Sequence, residues 1–320
     1  MMNRDELIER LRDSGAAGLA AMHAVPPAAL ALPGYENGWT VRQIMAHVAS
    51  MEFTYRRLPD VARGPRDAQA TPGGGTFDMD GYNARQVEKR AAQPPAALAE
   101  EFLKGRAALI VLAGELDDVL LAVPMRSAGG VTGTLAEVMA GTAVAHVRTH
   151  SGDFVRAAGA EPGAGERIAA GVLLSAEEAA VRVEAVTPAR WRARGGAEEW
   201  SAAGICGHLI EMLPYWATKL ERVSRDASLP FSRALDAPER LGGVVNGEAL
   251  TPEQGAFAVR RAAAEAAAIL RRLPAAAWQQ TVDHPRYGAV ALEAAAGELL
   301  VKHAREHVAQ IAAALEEAPA

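Results

Sequence analysis

The sequence predicts an all-α protein built as two successive four-helix bundles, and three observations carry that prediction. Half of the residues are hydrophobic while only 5% are aromatic, and alanine is very abundant. Alanine is the strongest helix former, so this composition leans to helix. The segment 25–47 aligns without a gap with 186–208, at an offset of 161 residues. A His-x-Arg-x-His pattern then closes each half, as His146-Arg148-His150 and His303-Arg305-His307. At 320 residues the chain has room for two cores of ordinary domain size.

The elements follow in order. The first helix spans about 4–23 and stops before Pro26 and Pro27, which cannot continue it. Thr40 is placed to cap a second helix over about 41–61, since a hydroxyl accepts a first-turn amide. Pro95 sits in the first turn of a third helix, about 95–121, and Thr134 precedes a fourth, about 135–158. The second half repeats the series at about 175–186, 202–224 after Ser201, 252–273 and 291–317. Loops are expected at 65–76, 125–133, 225–238 and 281–289, and no segment alternates convincingly enough to be a strand. The joint falls in 157–171, rich in Gly and Ala and containing Pro162, as a flexible connector should be. The domains are therefore read as 1–160 and 172–320, with 161–171 as linker.

The repeat extends to single residues. Val25 meets Val186, Pro27 meets Pro188, Trp39 meets Trp200, Ile44 meets Ile205 and His47 meets His208. Leu135 and Leu292 each precede the first histidine of their pair by eleven residues. From the lone histidine to the pair is 99 residues in the first half and 95 in the second.

Charge and cysteine content narrow the classes of function. The formal net charge is −6, with both signs interspersed, which argues against a nucleic-acid partner. Cys206 is the only cysteine, so no intramolecular disulfide forms and a reducing cytoplasm fits. Residues 1–15 are charged and lack an apolar signal core, and no stretch approaches the roughly 20 apolar residues that span a bilayer. Cytoplasmic location without membrane attachment is the expectation. Gly73-Gly74-Gly75 lacks the Lys-Ser/Thr of a phosphate loop, and there is no Gly-x-Ser-x-Gly elbow.

Six of the eight histidines lie in the repeat. His146 and His150 are one turn apart on one helical face, and His47 comes from another helix to close a third corner. His303, His307 and His208 do the same in the second half. Three imidazoles suit Zn²⁺, Ni²⁺, Co²⁺ or Fe²⁺ and leave a coordination position open for water or a substrate atom. A lone helical histidine pair is more often an ordinary surface or core feature. Recurrence of all three at matched spacing is what favours ligation.

One turn beyond the lone histidine lie Ser50 and Glu211, and one turn beyond the pair lie Asp153 and Gln310. These are candidates to orient imidazoles or contact a bound water, beside the plainer reading of polar helix positions. A Glu211 that reached the metal would make the second site harder and more anionic. Arg148 and Arg305 point away from the ligand face, toward ion pairs. Trp39 and Trp200 read first as staples of a bundle end, and second as stacking surfaces for a substrate. Cys206 reads as a small core residue and a poor nucleophile. His23 and His284 have no counterparts and read as surface or loop residues.

At W-T-V-R-Q-I-M-A-H with H-V-R-T-H, and at W-S-A-A-G-I-C-G-H with H-A-R-E-H, the chain resembles the DinB/YfiT-like superfamily. Asn83, in D-G-Y-N-A-R-Q, is similar to an asparagine common in that family, with Asn246 at a comparable distance in the second half. The resemblance implies tandem DinB-like four-helix bundles related by internal duplication and packed as a pseudo-dimer, in a monomer with pseudo-two-fold symmetry or in a homodimer. It also implies metal ligation by His47, His146 and His150, and by His208, His303 and His307. The superfamily includes mycothiol-dependent maleylpyruvate isomerases and bacillithiol S-transferases, so a low-molecular-weight thiol is an implied cofactor and a small molecule the implied substrate. The isomerases carry a different second domain, which weighs against isomerase activity here. The expected function is a metal-dependent, thiol-using transferase or hydrolase. The alternative is a non-catalytic stress-response protein that binds metal or a small ligand.

Overall fold

The chain divides into two compact units, Met1–Pro162 and Gly163–Ala320. The computed structural model describes residues 2–33, 38–64, 78–194, 200–284 and 288–316. The expected loop at 65–76, with its three consecutive glycines, lies outside them.

In the first unit, Asn3 opens α1 (Arg4–Ala24) by accepting the amide of Glu6, and the extended Val25 before Pro26 ends it. Thr40 caps α2 (Val41–Tyr55) in a reciprocal arrangement with Gln43. The expected second helix breaks at Arg56 and Arg57, and α3 (Leu58–Arg63) continues with Pro59 in its first turn. A helix not anticipated from sequence, α4 (Met79–Glu88), starts on the Asp78 cap. α5 (Pro95–Glu115) stops at Leu116, before the Asp117 cap starts the single turn of α6 (Asp118–Leu121). Strands β1 (Pro124–Arg126) and β2 (Thr132–Thr134) pair antiparallel. Thr134 caps α7 (Leu135–Met139), a π-helical turn covers Ala140–Val144, and α8 (Ala145–Ala158) ends at left-handed Gly159.

The second unit runs α9 (Ala164–Val183), α10 (Pro188–Arg192), α11 (Ala202–Arg225), α12 (Pro238–Glu248) and α13 (Pro252–Arg272). A hairpin of β3 (Thr281–His284) and β4 (Gly288–Ala291) follows, then α14 (Leu292–Ala296), a π-helical turn over Gly297–Lys302, and α15 (His303–Glu316). In each unit four long helices close a ring. α1 and α2 both pack on α5 and α8, and α9 and α11 both pack on α13 and α15. Fully buried Leu11, Ile44, Phe102 and Ile110 fill the first ring, and Leu209, Met212, Leu270 and Ile311 the second. Each such side chain contributes about 1.5–3 kcal/mol on burial.

Three further expectations are corrected. The linker at 161–171 is mostly helix, because α9 already starts at Ala164. Two of its three glycines, Gly165 and Gly171, serve contact rather than flexibility. A Cβ at Gly165 would stand 2.5 Å from the Leu270 carbonyl oxygen, and one at Gly171 would stand 2.9 Å from Val301. The segments 125–133 and 281–289 contain the two hairpins, whose strands of three or four residues are too short to show alternation. His284 is buried in β3 against Phe231 rather than exposed in a loop, whereas His23 is exposed as expected.

α12 crosses α11 at a glycine contact. A Cβ on Gly207 would lie 2.2 Å from the Gly243 carbonyl oxygen, and one on Gly247 would lie 2.2 Å from that of Ala203. Both obstacles are backbone, so a methyl must push the helices apart. Gly207→Ala is expected to lower stability by about 1–3 kcal/mol. It should also disturb the adjacent His208, and urea denaturation together with metal titration of the variant would measure the two effects.

Candidate metal centre

Each triad is assembled from two helices. His47 lies on α2, and His146 and His150 lie on α8. His208 lies on α11, and His303 and His307 lie on α15. The π-helical turn ends just before each pair, directly ahead of Ala145 in one unit and of His303 in the other. Such a turn inserts one residue and rotates everything after it by about 100° relative to the first part of the helix. The helix can thereby keep its early apolar face on the core and still aim both imidazoles inward.

In each triad the candidate ligand nitrogens lie within 4.8 Å of one another, so all six histidines fall into the two expected groups. The Nε2 atoms of His47 and His146 are 2.9 Å apart. Nitrogens sharing a tetrahedral ion at about 2.0–2.1 Å stand roughly 3.3 Å apart, so a small displacement admits a cation. In the second unit both ring nitrogens of His208 and Nε2 of His307 are buried with no hydrogen-bond partner. Buried orphan nitrogens facing a shared space fit a divalent cation.

The supporting groups differ between units. Asp153 Oδ2 is 2.8 Å from His150 Nδ1, and Arg156 pairs with the other carboxylate oxygen. A carboxylate there fixes the tautomer, leaves Nε2 as the ligand atom and raises its basicity. Gln310 Oε1 stands 2.6 Å from His307 Nδ1, which gives the same orientation without the charge. Ser50 donates to the His47 carbonyl and plays no part in holding a ring. Glu211 pairs with Arg233 at 2.6 Å, so of its two readings the structure shows a polar helix position held in an ion pair.

The tryptophans do more than staple a helix end. The Trp39 ring centroid lies 5.1 Å from His47, and that of Trp200 lies 5.3 Å from His208 and 6.3 Å, stacked, from His307. Tyr55, 6.0 Å from His146, closes the first centre and was not singled out from sequence. Neither were Arg233 and Arg240; they carry no motif, and only packing brings them to the second centre. Asn83 has a buried, unpartnered amide oxygen, whereas Asn246 is exposed on α12, so the two asparagines are not equivalent in environment. Arg148 is exposed, as its position on the helix requires. Cys206 is fully buried in the core, and burial pushes its thiol well up, which leaves it inert as a nucleophile.

Burial is the main cause of depressed histidine pKa values at both centres. His47 is lowered to about 4, with His150 adding to burial, and His146 falls well below 6.5. His208 is lowered to about 2 and His307 to about 4, and His303 is lowered as well. Neutral imidazoles are the ligand form, so His47, His146, His208, His303 and His307 stand ready to coordinate at pH 7. A consequence follows for the metal-free protein. Between the ordinary value of 6.5 and about 4, the unfolded chain takes up protons that folded His47 and His307 do not. Stability therefore rises with pH across that window and is lost on acidification. The melting temperature of chelator-treated protein is expected to fall by several degrees between pH 7 and pH 5. A His208→Asn variant should show a shallower slope.

Residues 11–153 match the family model of the mycothiol maleylpyruvate isomerase N-terminal domain, and residues 174–311 match that of the DinB superfamily. No curated protein and no solved structure matches the chain. No helix among the described residues is long and apolar enough to cross a membrane.

Proposed function

Because the chain belongs to the DinB-like superfamily, as two such domains in tandem, we propose that each domain binds one divalent cation through its three imidazoles. We infer further that the first centre serves a thiol-using transferase or hydrolase. The observation that carries this reading is the convergence of imidazole nitrogens within 4.8 Å in each domain, with the outer nitrogen of His150 anchored on Asp153.

His47, His146 and His150 would hold the ion in the first domain, and His208, His303 and His307 in the second. Three protein ligands leave a position for an outside group, and a divalent cation there lowers the pKa of a bound thiol or water. The chain contributes the rest. Asp153 and Arg156 fix the His150 ring, and the depressed histidine pKa values keep protons from competing for the ligand nitrogens. Trp39 and Tyr55 give the first centre an aromatic wall that limits water and offers a flat surface to a substrate. Buried Cys206 supplies no nucleophile, so the nucleophile comes from solution.

The test is turnover of a broad panel of electrophiles with low-molecular-weight thiols, before and after chelation, with elemental analysis of the freshly purified protein. Chelator-sensitive turnover that zinc, nickel, cobalt or iron restores supports the reading. A chain that holds metal in both triads yet turns over nothing points instead to a metal-stabilised binding protein.

A further inference from the structure

We propose that the second domain's centre takes a small ligand carrying a carboxylate or phosphate group, gripped by Arg233 with Arg240 beside it. This inference rests on the metal-centre reading and adds the ligand class.

Arg233 is the informative residue. Its side chain is only 6% exposed. Nη2 donates to Glu211 at 2.6 Å, and the guanidinium carbon lies 4.0 Å over the Tyr215 ring. Nε and Nη1 are buried and have no partner. A guanidinium fixed on two sides, with two donors left empty out of water, is a costly arrangement that an oxyanion would complete.

Its position ties it to the histidines. Glu211 lies one turn after His208 on α11, and Tyr215 one turn further, so Arg233 is held along the stripe that carries His208. From α12, Arg240 stacks on Trp200 at 5.0 Å, and the centroid of the same ring is 5.3 Å from that of His208. Of the carboxylates nearby, Glu211 gives Arg233 one oxygen while its other oxygen is buried without a partner, and Glu306 is exposed. The first centre is built differently, with Asp153 on a ligand ring and Arg156 consumed in neutralising it. A planar fork with spare N–H groups matches carboxylate and phosphate oxygens, and a neutral ligand would leave those donors empty.

The test is calorimetric titration of zinc-loaded full-length protein with inorganic phosphate, with acetate, and with neutral acetamide as control. Removing Arg233 alone would strand Glu211, so the variants are Arg240→Gln and the paired Arg233→Gln/Glu211→Gln. Binding of phosphate or acetate is expected to weaken about tenfold or more in each variant, at unchanged zinc content by elemental analysis. Arg240 is partly exposed, so its variant keeps the test decisive if the paired variant misfolds. Unchanged anion affinity in the folded variants, or acetamide binding as tightly as acetate, would overturn the inference and leave the metal reading standing. If the parent chain takes up no zinc, the metal reading fails, and the same titrations on zinc-free protein decide the anion site by themselves.

Discussion

Replacing His150 with alanine is expected to cost the protein one bound metal ion per chain and to leave the ion of the second domain in place. His150 is buried, and its outer nitrogen rests on Asp153. Asp153 keeps Arg156 as partner when the ring is gone, so the substitution strands no buried charge, and the domain should still fold. What disappears is one of three ligands, and two imidazoles alone hold a divalent cation far more weakly. Elemental analysis after desalting reads the result directly, and an unchanged ion count would refute ligation by this triad. Asp153→Asn is the graded companion. It retains all three ligands but loses the carboxylate that orients one of them, and affinity should fall about 10–100-fold. The metal also links to stability, since a ligand at a thousand times its dissociation constant adds about 4 kcal/mol to the folded state. Chelation should therefore lower the melting temperature of the native protein more than that of His150→Ala.

Arg106→Ala should be the most destabilising single change in the first domain. Arg106 and Glu52 have no exposed side-chain surface, and their contact is 2.6 Å. The guanidinium also donates to Ser14 Oγ at 3.1 Å and to the carbonyls of Ala143 and Leu11, at 3.1 and 3.4 Å. One side chain on α5 thus ties together α1, α2 and the π-helical turn that precedes His146. Burial pushes the Glu52 carboxyl upward against the pull of Arg106, so without the guanidinium it is left uncompensated. Breaking such a pair from one side costs about 3–5 kcal/mol. At about 2–4 °C per kcal/mol for a domain of this size, the first domain's calorimetric transition should drop by roughly 10 °C or more. The paired change Glu52→Leu/Arg106→Met should recover most of that loss, since apolar replacement of a buried pair is often neutral. Equal losses in the single and paired variants would show that packing, not the stranded charge, sets the cost.

Much of this was legible because it is local. Capping residues mark where helices begin, and Thr40, Thr134 and Ser201 all cap as their positions suggest. The four-residue spacing of His146 and His150 fixes a shared face whatever the rest of the chain does. α4 and α12 escaped notice because they are short. α12, P-E-R-L-G-G-V-V-N-G-E, also carries three glycines that intrinsic propensity disfavours. Gly243 and Gly247 are explained only by the helix that crosses them.

From the residues alone come two helical domains, the starts of most of their long helices, and the six histidines in two groups of three. The tertiary structure alone decided which polar groups serve those histidines. Asp153 holds a ring while Ser50 does not, Glu211 turns to Arg233, and Trp200 neighbours both Arg240 and His208. The physical reason is range. Propensity and periodicity act over one or two turns, whereas the partners of a buried charge are chosen by how helices cross, among residues tens of positions apart.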